Sequence, residues 1–156
     1  MARGAEFQGG VQGDLFLDHF KGAVGAEHVG LAQDSGGRLT FLTRTTPVPD
    51  GADVTGYRQG EDGGYQDIAF MAARRAKHPE ADPTIGGKSV MEVSDISVDS
   101  PERGRGISDN LYHFGRQFDD IRHSMARTPS GQAWARRVGG TDIFGRDVHS
   151  YGFKRT

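Results

Sequence analysis

The sequence predicts an α+β domain, and three observations carry the prediction. Two apolar-rich runs at 28–32 and 38–44 are separated by a polar, glycine-containing turn. A second region, 89–98, alternates Val90, Glu92, Asp95 and Ser97 with Met91, Val93, Ile96 and Val98 closely enough for a strand with one irregularity. Directly after it, Ile107, Leu111, Phe114, Phe118 and Ile121 recur at spacings of four, three, four and three, an amphipathic helix. With 156 residues, 35% hydrophobic and 26% charged, the chain has the size of one domain with one core.

Taken in order, residues 1–13 are glycine-rich and weakly patterned, and read as an arm that is flexible or held by a partner. Residues 14–156 then form a single domain. Leu15, Phe16, Phe20 and Val24 make a helical stripe over 14–24, closed by Gly25. The runs at 28–32 and 38–44 form an antiparallel hairpin around Gln33, Asp34, Ser35, Gly36 and Gly37. Residues 45–64, with Pro47, Pro49 and several glycines, read as a long loop. Ile68, Met71, Ala72 and Ala76 fall on one face of a helix over 65–77. Beyond the strand at 89–98 and the helix from Ile107, residues 121–125 form a short strand. Thr128 N-caps a last helix that starts at Pro129 and ends at Gly139 and Gly140. Residues 141–156 read as a closing hairpin.

Composition excludes several functions. Nineteen Lys and Arg against 21 Asp and Glu give a net charge of −2, so no overall field draws the chain to nucleic acid or an anionic membrane. With no cysteine, thiolate catalysis, disulfides and cysteine zinc sites are ruled out, and a reducing compartment such as the cytoplasm suits the chain. The six histidines are never at ligand spacing, so no metal is expected. His123 and Ser124, as neighbours on a strand, point to opposite faces and do not form a catalytic pair. Arg74, Arg75, Lys77 and His78 read as a solvated helix end.

The informative segment is strand, turn, helix: VMEVSDISV, DSPE, then RGRGIS opening the helix. Backbone N–H groups at a helix start lack intrahelical acceptors and sit at the positive end of its dipole, so a glycine turn there forms a phosphate cradle. Arg103 and Arg105 add charge, while Gly104 and Gly106 let a ligand approach the backbone. Competing motifs fail: Gly87, Lys88 and Ser89 resemble a P-loop end, but Asp82 stands at the first glycine and a strand follows. Gly104, Gly106 and Asp109 miss the third glycine of a dinucleotide fingerprint.

Val98, Pro101, Arg103, Gly104, Arg105, Gly106, Ile107 and Leu111 resemble the acetyl-CoA-binding motif of the GNAT N-acetyltransferase superfamily. That pattern is Arg or Gln, two residues, Gly, one residue, Gly or Ala; here it reads R-G-R-G-I-S, with Ser108 in the last place. The helix AWARRVGG resembles the family's final helix, so the likeness runs over 90–140. It implies a GNAT-like fold with a mixed, mostly antiparallel central sheet flanked by helices. It also implies transfer of acetyl from acetyl-CoA to an amine. Arg103, Gly104, Arg105, Gly106, Ile107 and Ser108 would seat the pyrophosphate, and backbone N–H groups around Ile96 to Val98 would hold the thioester carbonyl in a splay beside the strand. Glu92, Asp95 and Asp99 are the candidate bases, with Asp95 and Asp99 on one strand face. The family's acid is often a tyrosine near the last helix; Trp134 stands at that aromatic position and Tyr151 lies far along the chain, so the resemblance assigns no clear general acid.

A second reading follows: a non-catalytic GNAT-fold component of an assembly such as a bacteriophage virion, with other phage structural proteins or copies of itself as partners. Only Lys21, Lys77, Lys88 and Lys154 are lysines and Gly is 24, a GC-rich coding bias of the kind found in high-GC actinobacteria and their phages.

Overall fold

The computed structural model describes residues 10–76, 84–85 and 88–148. Three helices and seven strands follow one another as α1 (Gly10–Val24), β1 (His28–Gln33), β2 (Leu39–Thr45), β3 (Gly51–Gln59), β4 (Tyr65–Arg75), β5 (Thr84–Ile85), β6 (Lys88–Val98), α2 (Ile107–Arg116), β7 (Asp120–Arg122) and α3 (Pro129–Val138). The chain is α+β, with one mixed sheet in the order β1-β2-β3-β4-β6. Those neighbours are all antiparallel; on the far edge of β6 lie β5, antiparallel, and β7, parallel.

The hairpin, the strand ending at Val98 and the last helix fall where the sequence puts them. Thr128 caps α3 by accepting a hydrogen bond from the Gly131 N–H at 3.1 Å. Residues 10–13, read as part of an arm, belong to α1, and residues 1–9 lie outside the described residues. So do Lys77, His78 and the end of the expected closing hairpin, of which an antiparallel bridge between Thr141 and Asp147 is described.

Two expectations are corrected. Residues 45–64 are not one long loop, because Gly51–Gln59 is a strand whose inward positions are Ala52, Val54, Gly56 and Arg58. Small residues and an arginine at those positions hide the apolar alternation. Residues 65–77 are not a helix either, since Tyr65–Arg75 is strand β4. Its helix-like spacing arises because Ile68 is an extra residue in a bulge, which shifts the parity between it and Met71. The adjacent Ala72 and Ala73 are both buried, which further blurs the strand pattern. A second bulge puts Ser94 out of register in β6, the irregularity read from the sequence. The helix from Ile107 is shorter than its apolar period: it ends at Arg116, and Ile121 belongs to β7.

One sheet face carries α2. Ile107, Leu111 and Phe114 pack there on Leu42, Val54, Met71 and Met91. Adjacent strand residues point to opposite faces, so Leu31 and Phe41 face away from α2 and bury Phe20 of α1. On the α2 side, a methyl group at Gly30 would overlap Cε1 of the buried Phe114 ring and lie 2.9 Å from its Cδ1. Gly30→Ala is therefore expected to cost about 1–3 kcal/mol, read as a lower urea midpoint with an unchanged slope. Gly22→Ala, in open space on α1, should instead stabilise by about 0.5–1 kcal/mol.

Candidate functional site

β7 pairs with β6 only at Val90–Asp120, Met91–Ile121 and Glu92–Arg122. The chain then turns away, because the His123 N–H donates to Thr141 O at 2.9 Å. From residue 93 to Val98 the edge of β6 facing this gap has no strand partner among the described residues. The Asp99 N–H donates to Ile68 O of β4, and N–H directions alternate along a strand. The N–H groups of Ile96 and Val98 therefore point to the open edge.

The gap is a cleft of about 880 Å³. Ile96, Ser97 and Val98 form one wall and the turn into α2 forms its end, with Glu102, Arg103, Gly104, Gly106, Ile107 and Ser108. Thr128, Ser130, Gly131, Trp134 and Arg137 of the α3 region form the other wall. Gly104 and Gly106 both have φ of 79°, a left-handed conformation that favours glycine, and Gly106 is the N-cap of α2. Ile96, Thr128, Gly131 and Trp134 also line a smaller cleft of about 210 Å³, which reaches Asp95, His123 and Ser124.

Of the residues singled out from sequence, Ile96, Val98, Arg103, Gly104, Gly106, Ile107 and Ser108 share the larger cleft. Arg105 is not on its wall: its carbonyl accepts from the Ser35 N–H at 2.8 Å and its Nε lies 3.8 Å from Glu102. Asp95 is exposed and lines the smaller cleft; Asp99 lines neither. The bulge at Ser94 precedes both, so they keep one face. Glu92 pairs in the sheet with Arg74 and Arg122, away from both clefts.

Trp134 is fixed at the junction of the clefts. Its indole N–H donates to Asp109 at 3.0 Å, and its ring meets Tyr112 and His123 edge-on. His123 stacks on Tyr112 with centroids 4.9 Å apart and donates from Nε2 to Gly139 O at 2.7 Å. Burial pushes the His123 pKa below its ordinary value, and through the Gly139 bond the ring holds two segments together. Ser124 takes no part in that bond.

Sequence reading missed Arg58, which lay in the supposed loop; its signal is strand parity, which puts it on the buried face with Val54 and Gly56. Only 8% exposed, it donates to Asp34 at 2.6 Å, to Glu102 at 2.9 and 3.2 Å, to Leu39 O and to the Thr40 hydroxyl. Asp34 also accepts from the N–H groups of Gly36 and Arg38. Burial raises the Asp34 carboxyl, but the Arg38 N–H, the Arg58 guanidinium and the Gly36 N–H outweigh it and hold it below its ordinary value.

Chemically, the larger cleft offers backbone donors, hydroxyls and two arginines to an extended anionic ligand, and the adjoining smaller cleft offers the Asp95 carboxylate. Among the described residues no cluster suits a metal ion, and no helix is long and apolar enough to cross a membrane. No family model, curated protein or solved structure matches the chain.

Arg58→Met, which strands Asp34 as a buried unpaired charge, is expected to cost about 3–5 kcal/mol in denaturant melts. With its folded pKa depressed, Asp34 stabilises the fold above its unfolded value of about 3.9 and loses that contribution as pH falls through the folded value. Asp34→Asn should thus flatten the acid limb of a stability–pH curve; an unaltered limb would place the acid sensitivity elsewhere.

Proposed function

We infer that the chain is a GNAT-like N-acetyltransferase that takes acetyl from acetyl-CoA and passes it to an amine. The observation that carries this reading is the parting of β6 from β7 beside a glycine turn at the start of α2. A slot for an extended arm and a cradle for a pyrophosphate thereby meet in one cleft. The R-G-R-G-I-S resemblance supports it, because the residues of that hexapeptide, Arg105 excepted, line that cleft.

In this reading Arg103, Arg137 and the N–H groups from Gly104 to Ser108 hold the diphosphate. The open-edge N–H groups of Ile96 and Val98 donate to the thioester oxygen as negative charge develops on it during attack. Asp95, exposed on the smaller cleft, takes the proton from the attacking amine. Acetyl-CoA, when bound, supplies the activated acyl group and a thiolate leaving group. Trp134 bars water from the junction between the two clefts.

One observation favours a second reading, a GNAT-fold protein without turnover that serves in an assembly such as a virion. Among the described residues lining the two clefts there is no tyrosine, cysteine or lysine to protonate the leaving thiolate. The Tyr112 hydroxyl is buried and lines neither. The first reading puts the protein in the cytoplasm, the second in a particle.

Coenzyme A at 100 times its dissociation constant should stabilise the protein by about 2.7 kcal/mol, seen as a rise in melting temperature. Gly106→Val should abolish that rise, and Arg103→Ala should weaken binding by about 1–3 kcal/mol. No shift at millimolar coenzyme A would remove both the ligand and the enzyme. Binding without thiol release from acetyl-CoA, across a panel of amines, would leave the second reading. Release that falls at least a hundredfold in Asp95→Asn would establish the first and its base.

A further inference from the structure

A carboxylate at the wall of an anion-binding cleft is out of place if it faces the ligand, since it repels what the cradle attracts. Glu102 holds that position, immediately before Arg103, and its side chain is only 14% exposed. Its Oε1 accepts from both Nε and an Nη of Arg58, at 3.2 and 2.9 Å. Arg38 and Arg105 approach the same oxygen at 3.9 and 3.8 Å. The same Arg58 grips Asp34, whose carboxylate folds the β1–β2 turn by accepting from Gly36 and Arg38. That turn closes the circuit, because the Ser35 N–H donates to the carbonyl of Arg105, between the two left-handed glycines.

We propose that Glu102 is a positioning residue: gripped by Arg58, it anchors the start of the 103–106 turn to β3 while Ser35 anchors its end. The turn is thereby held with Gly104 and Gly106 on the wall of the cleft. The inference deepens the acyl-CoA reading and rests on it for the ligand. Glu102 does not touch the ligand; its charge is spent on the guanidinium, which is what makes a carboxylate tolerable there.

Electrostatics and positioning predict opposite signs, which makes the proposal testable. Glu102→Ala removes a negative charge from the cleft, so if Glu102 were only a nearby charge, coenzyme A would bind more tightly. If it positions the turn, coenzyme A binding measured by calorimetry weakens about tenfold. Exchange of the Ser35 amide, followed by NMR, should accelerate about tenfold in the same variant, while amides of the β3 interior such as Val54 keep their rates. Glu102→Gln, which retains an acceptor for Arg58, should fall between wild type and alanine in both readouts, and it carries the test if the alanine variant does not fold. Unchanged Ser35 exchange, or tighter coenzyme A binding, in the alanine variant overturns the proposal. Should the wild type fail to bind coenzyme A, the acyl-CoA reading falls, and Ser35 exchange alone decides the positioning role.

Discussion

The guanidinium of Arg58 is the constraint on which the arrangement of the cleft depends. It lies at the end of β3 on the α2 face, and meets two carboxylates, a carbonyl and a hydroxyl from three separate stretches of chain. A buried ion pair of this kind adds little net stability over well-packed apolar groups, because desolvation offsets much of the attraction. What it adds is geometry. Arginine's fixed fork of donors accepts few arrangements of partners, so the β1–β2 turn, the middle of the sheet and the start of α2 must come together in one way. A core of aliphatic side chains could bring the same segments near one another without specifying the orientation of the turn between them.

Other polar links share this logic at the rim of the core. Arg44 of β2 grips Asp119 through two bonds of 2.8 and 2.9 Å, which fixes the chain just past α2. Asp109, in the first turn of α2, accepts from Trp134 and Arg137 of α3, at 3.0 and 2.9 Å. α2 is thus tied at its start to α3 and just past its end to the sheet, and the apolar contacts of Leu111 and Phe114 fill the space between. The larger cleft lies beside the tie at Asp109, walled by β6, the turn into α2 and the α3 region, with Arg137 of that tie on its lining.

How much of this is legible in the sequence follows from which residues fill the inward positions. β6, α3 and the RGRGIS turn are legible because their inward residues are large and apolar, or because Thr, Pro and Gly stand at the positions that end a helix. α2 is legible at its start but overextended, since Phe118 and Ile121 continue its period from outside the helix. β3 is illegible for the opposite reason: its inward positions hold the small residues Ala52 and Gly56 and the polar Arg58, so Val54 alone carries the apolar signal. β4 imitates a helix because one bulge shifts its parity. The cleft-lining residues of the turn were readable from local chemistry, whereas Arg58 and Glu102 acquire their roles only when β3 is known to be a strand.

The cleft itself results from a competition for backbone partners. A parallel strand beside β6 could go on pairing to Val98, which would seal the edge that carries the Ile96 and Val98 N–H groups. Instead His123 gives its N–H to Thr141 and its ring Nε2–H to Gly139. The receiving segment is itself held, because the buried Asp142 carboxylate accepts from the N–H groups of Phe144 and Arg146 and from the Arg146 guanidinium. Gly140 packs against the Tyr112 hydroxyl so closely that a Cβ there would overlap it, so the segment approaches α2 only because residue 140 is glycine. His123, stacked on Tyr112, completes the attachment. The chain after β7 is drawn toward α3 by a sufficient set of donors and acceptors of its own, and among the described residues no strand pairs with β6 beyond Glu92 on the edge that faces the cleft. In a folded protein unpaired backbone donors are retained where water or a ligand can reach them, and at Ile96 and Val98 the fold supplies that access.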